Sequence, residues 1–141
     1  MEVFIEAERG SNEKGRYDEQ TLGRTGSRRA VVAYPYPYGF VMGSQVGADG
    51  DCADCYVITH ERLREGSRVD CEPIALLEMF EDGQADHKVI ACLRGDTVVA
   101  DQALRDELAA FLSAIFAAYP EVEVRVGRLL PAAEAVAFIA L

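Results

Sequence analysis

The spacing of apolar residues changes character once along this chain, and that change limits the possible folds more than any other feature. From Asp101 to Tyr119, the residues Leu104, Leu108, Phe111, Leu112, Ile115 and Phe116 recur at steps of three and four, which places them on one face of a helix. Pro120 stops that helix. Before Asp101 the apolar residues come in short runs separated by turn-forming residues, the pattern of strands. Residues 2–8 alternate, with Val3, Ile5 and Ala7 on one side. Ala30–Tyr34 is apolar and β-prone, and it leads into Tyr34-Pro35-Tyr36-Pro37-Tyr38-Gly39-Phe40, where two prolines forbid helix and remove ladder donors. Further strands are expected at Cys55–Thr59, Ser67–Cys71, Ile74–Phe80 and Lys88–Leu93, with a turn at Glu81–Asp86. Residues 9–29 are polar and glycine-rich, and are read as a mobile connection with one short strand near Arg16-Tyr17-Asp18. After the helix, Glu121–Val126 alternates as a strand, and Ala132–Ile139 fits a short closing helix beginning at Pro131. Many short strands joined by short turns predict an α+β, mainly β protein. It is expected to be a closed, OB-like β-barrel built mainly from residues 30–93, with the long and the short helix packed outside.

A chain of 141 residues, 50% of them hydrophobic, suffices for one ordinary core, so residues 1–141 are read as a single domain. The formal net charge of −10, from 24 acidic and 14 basic residues, would repel a nucleic-acid backbone or an anionic membrane surface, so neither is expected as a partner. No segment approaches the ~20 apolar residues of a membrane span, and the opening MEVFIEAERG has acids where a signal peptide carries lysine or arginine. A cytoplasmic location is expected. There Cys52, Cys55, Cys71 and Cys92 stay reduced and pack as small apolar groups.

The carboxylates are grouped. Asp49-Gly50-Asp51-Cys52-Ala53-Asp54 puts three carboxylates within six residues, on a turn entering an apolar strand. Such crowding is costly unless a hard cation with oxygen ligands compensates it; a solvated acidic turn is the alternative that this segment alone leaves open. An EF-hand does not fit. Counting from Asp49, the sixth position is Asp54 instead of glycine and the twelfth is His60 instead of glutamate. Cys52-x-x-Cys55 has no second cysteine pair to complete a zinc site, and no βαβ pattern surrounds it to support a redox role. A second acidic group, Glu81-Asp82-Gly83-Gln84-Ala85-Asp86-His87-Lys88, would pass for a polar hairpin turn. The lysine two residues after Asp86 suggests something more: a cation able to meet an anionic substrate held by metals. His60 and His87 are expected at the surface and without a role.

With those segments in view, the chain resembles the soluble inorganic pyrophosphatase family. The resemblance rests on an Asp-x-Asp-Pro-x-Asp turn entering a strand, here Asp49 to Asp54. It rests also on a preceding Tyr-Pro-x-x-Tyr-Gly segment, here Tyr34 to Gly39, and on a following acidic loop ending in Asp-x-Lys, here Glu81 to Lys88. It is strong over residues 34–92 and looser at both ends. The resemblance implies that Asp49, Asp51, Asp54, Glu81 and Asp86, with Glu6 beside them, converge to bind divalent metal. Mg²⁺ is the best candidate, and Mn²⁺ or Zn²⁺ are possible substitutes. Asp51 would also orient or deprotonate the attacking water. Glu6, Arg16, Tyr38, Lys88 and Tyr119 would serve substrate binding, and a homo-oligomer is implied. Several positions depart from the family pattern. Pro120 replaces a lysine, Cys52 a proline and Glu81 an aspartate, the stretch between Lys88 and the helix is short, and a family arginine could be Arg24, Arg28 or Arg29.

The expected activity is therefore hydrolysis of pyrophosphate to two phosphates by metal-activated water. Two alternatives stand beside it: the same fold acting on another small phosphorylated compound, and a non-catalytic domain that binds metal or phosphate.

Overall fold

The computed structural model describes residues 1–46 and 50–140. Among them, nine strands form one sheet and two helices pack against it. In chain order the elements are β1 (Glu2–Ala7), β2 (Glu13–Tyr17), β3 (Arg24–Arg29), β4 (Tyr38–Val41), β5 (Asp54–Val57), β6 (Arg68–Glu81), β7 (Gln84–Ala85), β8 (Lys88–Leu93), α1 (Gln102–Phe116), β9 (Val124–Pro131) and α2 (Ala132–Phe138). The strand order β1-β4-β5-β8-β6 closes on itself because β6 also pairs with β1, with Glu2 opposite Asp70 and Phe4 opposite Arg68. The result is a mostly β fold whose central strands form a ring, with β3-β2 extending it beyond β1 and β9 running along β6.

The N-terminal strand is thus a member of the ring, which draws on more of the chain than residues 30–93. Residues 9–29 also differ from expectation: they form the β2–β3 hairpin, with Glu13 opposite Arg29 and Gly15 opposite Ser27. The hairpin lacks an apolar face, which is why its pattern is invisible to periodicity. It is held instead by polar contacts across it, Arg24 bonding Glu65 at 2.9 Å and Glu13 at 3.1 Å, and Tyr17 donating to Glu65. Ala30–Tyr34 is not a strand. Two expected strands merge into the single 14-residue β6, which passes through Pro73 with a register shift between Pro73 and Ala75. A bulge there accommodates the missing proline N–H. The strand after α1 begins at Val124 and runs to Pro131, later than the alternation placed it.

Alternation along β5 divides the core. Cys55 and Val57 join Val3, Ile5, Val41, Val89 and Ala91 on one face, where Ala135 of α2 also packs. Tyr56 and Ile58 join Tyr38, Leu77, Met79 and Ile90 on the other, the face covered by Leu104, Leu108, Phe111 and Leu112 of α1. Asp101 caps α1 by accepting the Leu104 N–H at 2.9 Å, and Arg105 fastens the helix to β9 by donating to the carbonyls of Val126 and Gly127, each at 2.9 Å. Leu108 is fully buried, so truncation to alanine is expected to cost on the order of 2–5 kcal/mol. Between β1 and β4 the backbones approach so closely that a Cβ at Gly39 would collide with the Phe4 carbonyl oxygen. That approach brings Glu6 to the ring wall on which Tyr38 lies.

Candidate active site

The side chains of Asp54 and Lys88 meet because β5 and β8 run parallel with these residues in register. Lys88 is 5% exposed, and its Nζ donates to Asp54 Oδ2 at 2.6 Å and to Asp86 Oδ2 at 3.0 Å. Burial alone would lower the affinity of this amine for its proton. The charges of Asp54 and Asp86 outweigh burial and raise it, so Lys88 is held as an ammonium.

Two cavities adjoin at this group. The first, about 770 Å³, is lined by Glu6, Glu19, Asp51, Asp54, Glu81, Asp82 and Asp86, together with Lys14, Cys52 and His87. The second, about 300 Å³, shares Lys14, Asp54, Glu81 and Asp86 with the first and adds Arg28, Arg29, Lys88, Tyr34, Tyr38 and Tyr119. One is an acidic chamber and the other is rimmed by cations and aromatic rings.

In the acidic chamber Glu6 is the buried member, 7% exposed. Burial pushes its carboxyl up to about 7; Lys14, whose Nζ lies 3.9 Å away, opposes this, while Asp54, Glu19 and Glu65 reinforce it. The turn that carries Asp51 is anchored at its base. Ser44, 1% exposed, donates to the Val41 carbonyl at 2.6 Å and accepts the Ala53 N–H at 2.9 Å, and Glu19 accepts the Cys52 N–H at 3.0 Å. Asp49 lies outside the described residues. Among the described residues, no three His, Cys, Asp or Glu groups are gathered closely enough to hold a metal ion by themselves. The carboxylates occupy the chamber walls, and Asp54 and Asp86 both face Lys88. This arrangement fits Mg²⁺, which keeps several waters and needs only one or two direct carboxylate ligands. Carboxylate oxygens dominate the lining, and Asp54, Glu19 and Glu65 add to the burial that pushes the Glu6 carboxyl up.

On the cationic side, Tyr34, Tyr38, Tyr56 and Phe111 form a chain of ring contacts with centroids 4.9–6.3 Å apart. Full burial drives the Tyr38 phenol well above its ordinary range, so it stays neutral. Lys14 Nζ sits 5.3 Å from the Tyr38 ring centroid. Arg28 lies over Tyr119, 4.9 Å from the ring centroid, and its Nε donates to the Tyr119 hydroxyl at 3.3 Å.

Glu6, Asp51, Asp54, Glu81, Asp86, Tyr38, Lys88 and Tyr119 therefore all line one or both cavities. Arg16 lines neither. It is exposed on β2, two residues or roughly 7 Å beyond Lys14, and Lys14 is the β2 cation that faces both cavities. Of the three candidate arginines, Arg28 and Arg29 reach the second cavity, whereas Arg24 is engaged by Glu13 and Glu65. Sequence reasoning missed Lys14 and Glu19. Both lie in the polar stretch where no local pattern distinguishes one charge from another. His60 is exposed, as expected, but His87 is half-buried: its Nδ1 accepts the Met79 N–H at 3.1 Å, and its ring packs against Phe80 and Phe138.

The ring-closed sheet with one long covering helix defines a known fold class. The solved inorganic pyrophosphatase of Thermus thermophilus superposes with a TM-score of 0.85 at 25% identity, covering 99% of this chain and 87% of that one. Sequence comparison agrees. A curated inorganic pyrophosphatase of Aeropyrum pernix is 31% identical across 96% of this chain and 83% of its own length, and one of Nanoarchaeum equitans is 39% identical over 64% of this chain. The chain covers 58%, 51% and 57% of the length of three curated relatives that it matches, the Nanoarchaeum protein among them. The family profile described as inorganic pyrophosphatase matches residues 3–139. This chain belongs to the inorganic pyrophosphatase family.

Proposed function

We infer that this protein hydrolyses inorganic pyrophosphate to two phosphates with the help of Mg²⁺. The observation that carries the reading is the juncture at Lys88, where a buried ammonium joins a chamber lined by carboxylates to a cavity rimmed by Lys14, Arg28 and Arg29. Pyrophosphate needs both kinds of surroundings. Asp51, Asp54, Glu81 and Asp86, with Asp49 from the same turn as Asp51, would hold the metal. When bound, the metal supplies positive charge to the phosphate oxygens and a water that loses its proton near neutral pH. Asp51 would accept a proton from the attacking water and orient it. Lys14, Lys88 and Arg28 neutralise the phosphate oxygens as charge shifts to the leaving group, and the hydroxyls of Tyr38 and Tyr119 fix their orientation. Glu6 keeps Lys14 aimed across the juncture. Mn²⁺ or Zn²⁺ would stand in for Mg²⁺ at reduced rate.

The same reading takes residues 1–141 as one domain working in the cytoplasm as a homo-oligomer, without nucleic-acid or membrane partners. Among the described residues, no helix is long and apolar enough to cross a membrane. The test is phosphate release from pyrophosphate by the purified chain with Mg²⁺. Asp51→Asn is expected to lower kcat by about 10²–10⁴-fold, and undiminished turnover would remove Asp51 as the base.

One observation favours a second reading, in which the substrate is a related phosphorylated compound. Apolar side chains, Leu112, Ile115, Phe116 and Val122 among them, share the second cavity's lining with its cations.

A further inference from the structure

Inorganic pyrophosphate carries no carbon, yet apolar side chains make up a large share of the second cavity's lining. α1 and the segment behind it contribute Leu112, Ile115, Phe116 and Val122, and the segment after β3 contributes Ala30 and Val31. Val31 is 64% exposed, Ile115, Phe116 and Val122 are half-buried, and the residue after Tyr119 is the uncharged Pro120. Apolar surface facing a cavity gains nothing from a fully ionised inorganic anion and gains from a hydrocarbon group. Arg28, 4.9 Å from the Tyr119 ring centroid, lines the same cavity as these apolar side chains.

We propose that this cavity receives the hydrocarbon group of a short alkyl diphosphate, a monoester whose diphosphate lies at the Lys88 juncture and whose chain lies against Ile115, Phe116 and Val31. A hydrocarbon suits the cavity better than a nucleoside, because among the described residues that line it tyrosine hydroxyls are the only neutral side-chain polar groups to read a base. For turnover the proposal rests on the hydrolase reading above; for binding it does not. Water adds to the terminal phosphorus and the bond from that phosphorus to the bridging oxygen breaks. The alkyl monophosphate leaves with the bridging oxygen, inorganic phosphate forms, and one proton passes to solvent.

The experiment has a binding arm and a turnover arm, both on the full chain with Mg²⁺. In the first, calorimetry compares pentyl methylenediphosphonate, which cannot be hydrolysed at the bridge, with unsubstituted methylenediphosphonate. The alkyl compound is expected to bind at least tenfold more tightly, and Val31→Gln, at an exposed position that folding tolerates, is expected to reduce that ratio at least threefold. Equal binding of the two compounds, or tighter binding of adenosine diphosphate than of pentyl diphosphate, overturns the proposal. In the second arm, phosphorus NMR follows pentyl diphosphate and pyrophosphate. Pentyl monophosphate and phosphate appearing with kcat/KM within tenfold of that for pyrophosphate supports the proposal. Turnover of pyrophosphate alone overturns it while leaving the hydrolase reading intact. Turnover of neither sinks the hydrolase reading, and the calorimetric ratio then decides the cavity's ligand by itself.

Discussion

The two cavities share Lys14, Asp54, Glu81 and Asp86 but are built in opposite ways. Most of the acidic chamber comes from sequence-local units, the turn entering β5 and the loop between β6 and β8, each delivering several carboxylates at once. The cation-rimmed cavity draws Lys14 from β2, Arg28 and Arg29 from β3, Lys88 from β8 and Tyr119 from beyond α1, so it exists only when distant elements are assembled. Metal affinity and substrate affinity should therefore respond differently to damage. Removing Arg28, or disturbing the end of α1, should weaken substrate binding and leave metal binding nearly unchanged.

Lys88 lines the cation-rimmed cavity and is bonded to Asp54 and Asp86, which line both, and it gives the largest expected effect. Lys88→Met removes a buried ammonium bonded to two carboxylates, leaving Asp54 and Asp86 to repel each other. A fall in kcat/KM of about 10³-fold is expected, in the range of losses from a removed charge-stabilising donor. Steady-state phosphate release measures it, with circular dichroism as the check on folding. A variant within tenfold of the parent would show that the cavities work independently of the residue that joins them.

Next in size is an effect on the acidic chamber alone. Glu6 titrates at 4.5 when unfolded and at about 7 when folded, so the folded state holds the proton more tightly. The stability this confers is fully present below pH 4.5, is lost as pH rises from 4.5 to 7, and changes no further above that. The whole span corresponds to at most about 3 kcal/mol. In chelator, urea unfolding of Glu6→Gln should depend less steeply on pH across this window than the parent does. Millimolar Mg²⁺, by favouring carboxylate in the chamber, should flatten the parent's curve toward that of the variant. Parallel curves for the two proteins would mean that Glu6 is solvated, and that the chamber is less crowded than its geometry implies.

This division also explains what could be read from the sequence. Asp51, Asp54, Glu81, Asp86 and Lys88 were legible because turn residues and an adjoining apolar strand mark their positions, and each lines a cavity. The long helix was legible from its period, because the face carrying Leu104, Leu108, Phe111 and Leu112 is buried as that period requires. The β2–β3 hairpin was not. Its burial is slight and its cohesion comes from Arg24, Glu13, Glu65 and Tyr17, contacts that join residues up to 48 positions apart. Arg16 follows from the family resemblance, and nothing local in this polar stretch singles out Lys14, the β2 cation that lines both cavities. Continuity through Pro73 was hidden for a related reason. Proline reads as a strand end unless a bulge absorbs its missing donor, and a bulge depends on the partner strand.

On the cationic side, Arg28→Ala should raise KM for pyrophosphate about 10- to 50-fold, the effect of losing one charge-assisted contact, and should change kcat less. Calorimetric Mg²⁺ affinity should stay within twofold, because Arg28 lines only the second cavity. A matching loss of metal affinity would join what the geometry separates.

The smallest effect comes from the partner that positions this arginine. Tyr119→Phe removes the hydroxyl that accepts from Arg28 Nε at 3.3 Å but keeps the ring beneath the guanidinium at 4.9 Å. A bond that long contributes little, and the cation–ring contact is worth about 0.5–1 kcal/mol where solvent reaches it. KM should therefore rise only about two- to fivefold if the hydroxyl acts through Arg28 alone. The double variant with Arg28→Ala separates the possibilities: with Arg28 gone, loss of the hydroxyl should add almost nothing, because the group it positions is absent. Two independent, multiplying losses would instead show that the Tyr119 hydroxyl contacts phosphate itself, making the end of α1 a direct part of the substrate site.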